Sequence, residues 1–355
     1  MSEPNPRGTE PAAPAADSSA VGVLDVAATE ESAKTPKAII GRSPGQLAWS
    51  RLRRDRTARG SIWVLGFFIL IAILAPLIEK IYGLGPTVNS PDLLDNNGVP
   101  LGYFGGIDFT SNNPSGHAHI LGVMPQTGWD LFMQFVYGAR TSLIVASLAA
   151  VLSVAIGVVL GIVAGYLGGW VDQVLNWFFD YMLAFPFVLM AIAIIPIVNT
   201  HLADSSGYVS APERMITIIV VFSLFGWMST ARLVRGQVIS LREREYVEAA
   251  RAAGAGRGHI MFKQILPNLW APILVTFSLA LPATVTAEAA LSFLGIGVEQ
   301  PTPDWGRMIN HSIGFMQSGD LAYLIIPGVS IWALVLAFNL FGDSMRDALD
   351  PKSNR

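Results

Sequence analysis

The feature that most constrains the fold is the run Thr141–Val171, which carries no charged residue over 31 positions. A helix needs roughly 20 apolar residues to cross a hydrocarbon core about 30 Å thick, so this run is longer than one crossing requires. Lipid offers no hydrogen-bond partner to bare backbone N–H and C=O groups, and an apolar segment therefore crosses it as a helix. The chain is predicted to be an all-α membrane protein.

Composition supports the same class of protein. The chain of 355 residues has a mean hydropathy of +0.48 and 14% charged residues, whereas soluble domains contain about 25%. A net charge of −3 argues against a nucleic-acid partner. The absence of cysteine excludes disulfides, thiolate metal sites and a cysteine nucleophile.

Six segments have the length and apolarity of transmembrane helices, and the fourth is the shortest. They are 61–78, 141–171, 181–200, 215–231, 264–287 and 321–342. Arginine and lysine precede the first segment, separate the fourth from the fifth and follow the sixth, whereas acidic residues outnumber cations in residues 79–138. Because cytoplasmic loops carry the excess of cations, both termini are predicted to be cytoplasmic and the loop 79–138 extracytoplasmic.

These boundaries divide the chain into six parts. Residues 1–41 are rich in Pro, Ala, Ser and Glu and contain few large apolar side chains. They cannot bury enough surface to offset chain entropy, so they are predicted to be a disordered cytoplasmic extension. The other parts are a basic cytoplasmic segment (42–60), the first transmembrane helix (61–78), the extracytoplasmic loop (79–138), a five-helix core (139–343) and a cytoplasmic tail (344–355).

The second span carries a stripe of small residues that recur every four positions and so share one helix face. The stripe consists of Ala149, Ser153, Gly157, Gly161 and Gly165. Small side chains let two helices approach closely where lipid supplies no hydrophobic driving force. The stripe is predicted to be a helix-packing face, either within the subunit or with a second one.

The sequence motifs of this chain provide little support for a catalytic function. Residues 41–45, GRSPG, match a serine nucleophile elbow, but that motif needs a strand before it and a helix after it, and here it lies in a polar linker. The sequence contains neither a P-loop nor an H-E-x-x-H motif. His117 and His119 alternate in the outer loop and are expected to be solvated rather than to bind a metal. We expect no catalytic and no metal-binding residues.

Ionisable residues inside spans are functional candidates. Asp180 and Asp343 lie near the inner ends of the third and sixth spans, where they are expected to reach the interface or to pair with nearby cations. Glu288 lies in the fifth span, where it either faces a translocation path or hydrogen-bonds a neighbouring helix. We name Trp177, Phe185 and Glu288 as candidate path residues.

The segment between the fourth and fifth spans, residues 245–268, has an unusual composition. Four alanines from Ala249 to Ala253 favour a helix with little bulk. Glycines from Gly254 to Gly258 permit a sharp turn, and Pro267 suits the start of the next helix. The pattern predicts a short helix, a bend and re-entry into the membrane. This helix either docks in a groove of another protein or is merely a solvated, positively charged loop.

The same segment resembles the cytoplasmic EAA loop of permeases from binding-protein-dependent ABC importers. That loop has Glu-Ala-Ala, three residues, Gly, and later a hydrophobic-x-Leu-Pro ending. EAARAAG begins at Glu248 and ILP ends at Pro267, so six residues fall on motif positions: Glu248, Ala249, Ala250, Gly254, Leu266 and Pro267. One position departs, because Gln264 stands where the motif has Ile and Ile265 is displaced by one.

Further segments resemble the dipeptide/oligopeptide/nickel group of these permeases, and the last resembles the C-terminal end of its second permease subunit. They are VYGARTSL (136–143), GYLGGWVD (165–172), AFPFVLMA (184–191), ARLVRGQVISLREREYVEAAR (231–251), LSFLGIGVEQPTPDWGRMI (291–309) and FNLFGDSMRDALDPK (338–352). The resemblance covers roughly residues 44–352. It departs from the family in HILGVMPQTGWD (119–130), where Trp129 replaces an arginine.

The resemblance implies a type I ABC importer permease fold with a cytoplasmic coupling helix, in a multi-pass protein of a prokaryotic cell membrane. The expected partners are a homologous second permease, two ATP-binding subunits, an extracytoplasmic substrate-binding protein and membrane lipid. The chain itself would bind no cofactor, since ATP and Mg²⁺ belong to the ATPase subunits. The ATPase-coupling residues that it implies are Tyr246, Glu248, Ala249, Ala250, Arg251, Gly254, Ala255, Leu266 and Pro267.

The implied cargo is short peptides, with nickel, glutathione or another small solute as the alternative. Two other classes of protein compete with this reading. A self-sufficient secondary transporter would be expected to show an internal repeat with interrupted helices, and no convincing repeat is found. A membrane-embedded enzyme would need a catalytic constellation that the sequence lacks.

Overall fold

The computed structural model of the chain describes residues 44–102, 104–110, 115–316 and 321–350. The predicted disordered extension (1–41) lies outside the described residues, as do residues 41–43 of the GRSPG segment and the end of the predicted tail from residue 351.

Helices form nearly all the regular structure of these described ranges, and four isolated β-bridges lie between the second and third helices. The α-helices are α1 Pro44–Leu52, α2 Arg56–Tyr82, α3 Leu131–Leu167, α4 Gly169–Leu183, α5 Phe187–Leu202, α6 Ala211–Gly226, α7 Met228–Leu241, α8 Glu245–Ala252, α9 Arg257–His259, α10 Trp270–Phe293, α11 Trp305–Ile313 and α12 Ala322–Leu349.

Four helical segments are long and apolar enough to cross a membrane: Arg56–Tyr82, Leu131–Leu167, Arg257–Phe293 and Ala322–Leu349. Two bent helix pairs pass the same test together, α4 with α5 at 83° and α6 with α7 at 40°. The described part of the chain therefore has four candidate spans, or up to six if each bent pair is one span. The predicted all-helical, multi-span architecture is confirmed at this level.

The third predicted span, 181–200, is wrong as a continuous helix. Helix α4 ends at Leu183 and α5 begins at Phe187, with a bend of 83° between them. Pro186 has a φ of −62° and precedes α5. Proline provides no N–H and disfavours helical geometry in the residue before it. Asp180 therefore belongs to α4, on the other side of the bend.

The fourth predicted span, 215–231, also crosses a break. Helix α6 ends at Gly226 and α7 begins at Met228. The backbone at Gly226 approaches α3 so closely that an added Cβ would lie 2.6 Å from the Ser153 Oγ atom. The bend thus occurs at a glycine that is pressed against a neighbouring helix, and α7 leaves it along α3.

Helix α3 is the centre of the fold. Its first half packs with α2, α10 and α12 in one apolar cluster, which includes the fully buried Trp305 and Tyr323. A second cluster joins α3 to α5 and α6, and a third joins its last half to α7 and α8. Because α3 contributes to all three clusters, the smaller elements at both ends of the molecule are positioned relative to it.

The end of the molecule that carries α1, α8 and the last residues of α3 and α12 is called here the basic end. Arg51 Nη1 donates to the carbonyl oxygens of Ala348 at 3.3 Å and Asp350 at 3.0 Å. Ser344 Oγ donates to Asp55 Oδ2 at 2.6 Å, and this hydrogen bond lowers the pKa of Asp55. A cation at the carboxyl end of a helix complements its unpaired carbonyls, so α1 caps α12.

The opposite end, with residues 83–130 and α11, is called the loop end. Asp130 caps α3 there, because its Oδ1 atom accepts a hydrogen bond from the Met133 N–H at 2.8 Å. Its Oδ2 atom pairs with His119 Nδ1 at 2.8 Å and accepts from the Tyr82 hydroxyl at 3.1 Å. The expectation that His119 is solvated is wrong, since it is fully buried. Its carboxylate partner is 11 residues away, at the start of α3, which hides the pairing from a local pattern.

Ser115 Oγ lies 3.0 Å from His119 Nε2, so Ser115, His119 and Asp130 contact one another in the order of a serine-hydrolase triad. The Asp130 carboxylate, however, is already committed to the cap of α3 and to Tyr82. We interpret the three residues as an anchor that holds the loop against the ends of α2 and α3.

Candidate functional site

Helix α8 follows α7 after a short extended link at Arg244, whose φ and ψ are −82° and 146°. Glu245 and Glu248 lie in its first turn, where negative side chains complement the positive end of the helix dipole. Val247 points the other way and is fully buried among side chains of α3 and α7. The helix therefore has one anchored face and one exposed face.

Helix α8 ends in a tight glycine turn. The Ala255 N–H donates to the Ala250 carbonyl at 3.0 Å, and the Gly254 N–H donates to the Arg251 carbonyl at 3.0 Å. These two bonds form a Schellman cap, which places its glycine in the left-handed region. Gly254 has a φ of +82° accordingly, and a Cβ added there would meet open space. The glycine is needed for the turn and not for close packing.

The chain re-enters the bundle through irregular helix. Residues Ile260–Ile265 are π-helical and Leu266–Leu269 form a 3₁₀ turn before α10 begins at Trp270. A π-turn accommodates one extra residue, and here Ile265 is fully buried while Gln264 is half-buried. The Gln264 carbonyl accepts a hydrogen bond from Asn268 Nδ2 at 2.7 Å. The fifth predicted span thus begins inside this irregular segment, before regular helix.

Seven of the nine residues proposed for ATPase coupling lie in α8 and the turn that follows it, and Leu266 and Pro267 lie in the irregular helix before α10. Ala250, Ala255 and Leu266 are half-buried and pack against the cluster around Val247 and Ile260. The exposed members are Tyr246, Glu248, Ala249, Arg251, Gly254 and Pro267. Small residues continue the exposed surface at Ala252, Ala253, Gly256 and Gly258. We call this surface, from Tyr246 to Gly258, the small-residue face.

The predicted helix-packing stripe on α3 lies against α6 and α7 of the same chain. A Cβ added at Gly157, Gly161 or Gly165 would lie 2.6 to 2.8 Å from atoms of α7 or of the residue that precedes it. Ser153 Oγ donates to the Phe222 carbonyl at 3.2 Å, and Ala149 is fully buried beside α6. Of the two partners left open by the sequence, the described contacts are within the chain.

Charged pairs add to the attachment of α7. Arg235 forms a two-pronged ion pair with Asp172 on α4, in which Nη2 lies 2.8 Å from Oδ2. Arg232 pairs with Asp180, also on α4. Arg242 Nη1 donates to the Gly165 carbonyl at 3.0 Å, at the end of α3. Helix α7, which leads into α8, is thereby held to two neighbouring helices.

A cavity of about 450 Å³ opens between α3, α5, the α6–α7 pair and α10. We call it the central cavity. Its lining combines hydroxyl groups with aromatic rings, and the described lining residues carry no charged side chain. The polar lining residues are Ser153, Ser229, Thr230, Thr276 and Thr284, and the aromatic ones are Phe187, Phe222 and Phe225. None of these aromatics was predicted from the sequence, because their convergence depends on the two helix bends.

None of the three candidate path residues is among the described residues that line the central cavity. Trp177 is 66% exposed on α4 and stacks on Tyr181, with ring centroids 5.6 Å apart. Phe185 contacts the edge of the same Tyr181 ring at 5.2 Å. Glu288 is buried within the chain and accepts a hydrogen bond from Ser292 Oγ at 3.2 Å.

Comparison with known families identifies the class of protein. Residues 157–355 match the family described as binding-protein-dependent transport system inner membrane component. Residues 43–91 match the N-terminal TM domain of oligopeptide transport permease C. The chain belongs to the family of binding-protein-dependent transport permeases, and the first match alone covers more than half of it.

Individual relatives narrow the comparison. The chain is 39% identical to the dipeptide transport system permease protein DppC of Alkalihalophilus pseudofirmus, over 87% of this chain and 90% of that protein. It is 33% identical to DppC of Bacillus subtilis, over 87% and 86%. It is 36% identical to the glutathione transport system permease protein GsiD of Salmonella typhimurium, over 88% and 91%.

These comparisons confirm the predicted family, the C-type permease and the location in a bacterial inner membrane as a multi-pass protein. They also make the chain a transport subunit of a multi-component system rather than an enzyme.

Proposed function

We propose that this chain is one of two permease subunits of an ATP-driven importer of short peptides. It would cross the membrane six times with both termini in the cytoplasm, which places the basic end inside and the loop end outside. The partners would be a homologous permease, two ATP-binding subunits and an extracytoplasmic binding protein. The chain would bind no cofactor, because ATP and Mg²⁺ would be held by the ATPase subunits.

The observation that carries the coupling role is the two-sided arrangement of α8. One side is locked into the core by Val247, Ile260 and Ile265, all almost completely buried. The other side is the exposed small-residue face. Small side chains let a helix backbone sit deep in a groove of a partner, and Glu248 and Arg251 offer charges of both signs to set its register.

A motion imposed on α8 has a direct route into the membrane. Helix α8 is joined to α7 by three residues, and α7 is held along α3 by the glycine contacts and to α4 by two ion pairs. Thr230 of α7 lines the central cavity. We therefore propose that closure of the ATPase subunits moves α7 and α8 together and changes the width of this cavity.

We propose the central cavity as this subunit's half of the translocation path, completed by the second permease. Serine and threonine hydroxyls both donate and accept hydrogen bonds, so they suit the amide groups of a peptide without selecting one side-chain charge. The dipeptide relatives support a peptide cargo. Glutathione is the alternative, favoured by the similarity to the glutathione permease. Trp177 on α4 and Phe185, just after the end of α4, stay as predicted path residues.

Reconstitution of the whole importer in proteoliposomes tests the coupling role. Ala249→Arg adds bulk to the small-residue face without entering the core, so we expect assembly in the membrane but loss of most peptide uptake. Ala249→Ser is the matched control and should transport normally. Unchanged uptake by the arginine variant would contradict docking at this face. Peptide uptake by the chain alone, driven by an ion gradient, would contradict the proposed class of transporter.

A second variant pair tests the path. Ala283 lines the central cavity and is exposed, so Ala283→Trp should fill the cavity and lower uptake at least tenfold. Leu274 lies on the same helix, is 40% exposed and is not among the described lining residues. Leu274→Trp should therefore leave uptake nearly unchanged. Equal effects of the two substitutions would remove the cavity from the proposed path.

A further inference from the structure

Glu288 and Asp304 bring two carboxyl groups together in the interior of the loop end. Glu288 is on α10 and Asp304 is the residue that caps α11, and each is only 1% exposed. The two elements are in close contact, since a Cβ added at Gly306 would lie 2.8 Å from the Ser292 Cβ atom. The Asp304 carboxyl group and the Ser142 hydroxyl group of α3 both neighbour the Glu288 carboxyl group.

The hydrogen bonds of this cluster are incomplete. Asp304 Oδ1 accepts from the Arg307 N–H at 2.9 Å, and Glu288 Oε1 accepts from Ser292 Oγ at 3.2 Å. The second oxygen of each carboxyl group, Asp304 Oδ2 and Glu288 Oε2, is buried and has no donor among the described residues. The Ser142 Oγ atom is equally buried and unpartnered. Buried polar atoms without a partner are rare in native proteins, and here three occur in one place.

No cation compensates the two carboxyl groups within the described chain. Helix α10 contains no lysine or arginine. On α3 the nearest cation in sequence is Arg140, which lines a different, apolar groove. On α11 the Arg307 side chain contacts His311, with Nε 3.4 Å from Nε2. Arg214 of α6 pairs with Glu299 instead. Neither Glu288 nor Asp304 forms an ion pair in the part of the chain that the structure describes.

Two ionised carboxylates cannot occupy this cluster favourably. Each would act only as an acceptor, so neither could satisfy the other, and their like charges would repel strongly where water is excluded. One added proton removes both difficulties. It turns one group into a neutral acid whose O–H donates to the carboxylate of its neighbour, as in other carboxyl pairs that share one proton.

We propose that Glu288 and Asp304 form a proton-binding site in which the pair holds one proton between its two carboxyl groups. The proton belongs to the pair rather than to one residue. It links α10 to the first turn of α11, where Trp305 also donates from Nε1 to the Phe135 carbonyl at 3.0 Å. Of the two roles that the sequence left open for Glu288, this site favours the contact with a neighbouring element.

Infrared spectroscopy of the purified protein tests the site directly. At neutral pH the wild type should show the C=O band of a protonated carboxylic acid, with the isotope shift expected in D₂O. Glu288→Gln should remove that band, because its amide supplies the donor and leaves Asp304 ionised. Glu299→Gln, which changes an exposed acid in the link between α10 and α11, should leave the band unchanged. Absence of the band from the wild type, or its persistence in Glu288→Gln, would overturn the proposal.

The stability of a second variant separates the loss of a hydrogen-bond donor from a change in side-chain volume. Glu288→Leu retains much of the side-chain volume but provides no donor, so Asp304 Oδ2 stays unpaired. We expect the Tm of Glu288→Leu in detergent to lie several degrees below that of Glu288→Gln, which should stay near the wild type. Equal Tm values for the two variants would show that the proton on Glu288 makes no required hydrogen bond, and would overturn the proposal. This test does not depend on the cargo or on transport activity.

Discussion

Two aspartates cap helices at the loop end, and their surroundings differ in one respect. Asp130 caps α3 and Asp304 caps α11, each through one oxygen that accepts from a backbone N–H three residues later, at 2.8 and 2.9 Å. Both are essentially buried. The second oxygen of Asp130 meets His119 and Tyr82, whereas that of Asp304 has no donor among the described residues and lies in the cluster with Glu288.

The difference shows that a cap position does not determine which groups surround the second oxygen of its carboxyl group. Both aspartates satisfy the same local rule for beginning a helix. His119 and Tyr82 lie within hydrogen-bond distance of that oxygen in Asp130, whereas around Asp304 the neighbouring acid provides a donor only when it is protonated. The same residue type thus meets neighbouring donors in one cap and forms half of the proposed proton-sharing pair in the other.

The largest expected effect comes from removing each cap in turn. Asp130→Ala loses the cap and leaves buried His119 and Tyr82 without their acceptor, so we expect a loss of about 3 kcal/mol or more in the free energy of unfolding. Asp304→Ala loses the cap and the hydrogen bond of the shared proton, but it leaves no unpaired charge, and it should cost about 1 to 2 kcal/mol. Thermal unfolding of the purified variants measures both. A cost for Asp304→Ala as large as that for Asp130→Ala would break the contrast.

A smaller effect is expected when one donor to Asp130 is removed. Tyr82→Phe deletes a hydroxyl whose single proton is shared between the Ala118 carbonyl at 2.7 Å and Asp130 Oδ2 at 3.1 Å. We expect a cost of about 1 to 2 kcal/mol, because His119 still satisfies the carboxylate. Tyr208→Phe is the control, since Tyr208 is 53% exposed. Similar Tm values for Tyr82→Phe and Tyr208→Phe would mean that the hydroxyl does not help to hold Asp130.

The smallest expected effect concerns the two buried or half-buried histidines of the loop end, His119 and His311. His119 faces a carboxylate, but His311 of α11 is half-buried near the Arg307 guanidinium. Burial, and secondarily that cation, lower the pKa of His311. The unfolded chain therefore binds a proton near pH 6.5 that the folded chain binds only at lower pH. Stability is accordingly lost as the pH falls through about 6.5, by a small amount because the side chain is only half-buried.

His311→Gln should flatten this dependence in unfolding measured between about pH 7.5 and 5.5, while the wild type loses stability on the acid side. His311 Nε2 lies 2.9 Å from Gln300 Nε2, which suits a neutral imidazole that accepts a hydrogen bond. A wild-type curve that rises as the pH falls would show that His311 gains a proton on folding, which is the opposite of the expected sign.

Local sequence features anticipated much of the coupling segment. The short helix and the glycine turn that ends it were predicted from residue types, and Gly254 does adopt the left-handed turn, whereas the burial of Val247 was not predicted. The π-helical stretch was not anticipated, although the displaced Ile265 was its signal, since one extra residue in a turn moves every later side chain. The bend at Pro186 was also readable, because proline ends a helix locally.

The loop end was anticipated least. His119 was expected to be solvated, and Asp304 was not predicted to be a functional residue. The partners of Asp130 are 48 and 11 residues away from it, at Tyr82 and His119. Glu288 and Ser142 lie on different helices, and no period or spacing relates them to Asp304. The donors around a buried carboxyl group come from side chains that the fold brings together. A pattern along one segment therefore cannot predict them.

The sequence by itself determined that this protein is a helical membrane protein, which segments are apolar, and which short segment resembles the coupling loop of a permease family. Those features depend on apolar length, charge and residue spacing within single segments. Such properties are present in the chain whether or not it is folded. Only the tertiary structure decided which helix the α3 glycines contact, where the central cavity opens, and which buried aspartate has donors. Each of these depends on side chains brought together from distant positions, where the exclusion of water makes every unpaired polar atom costly.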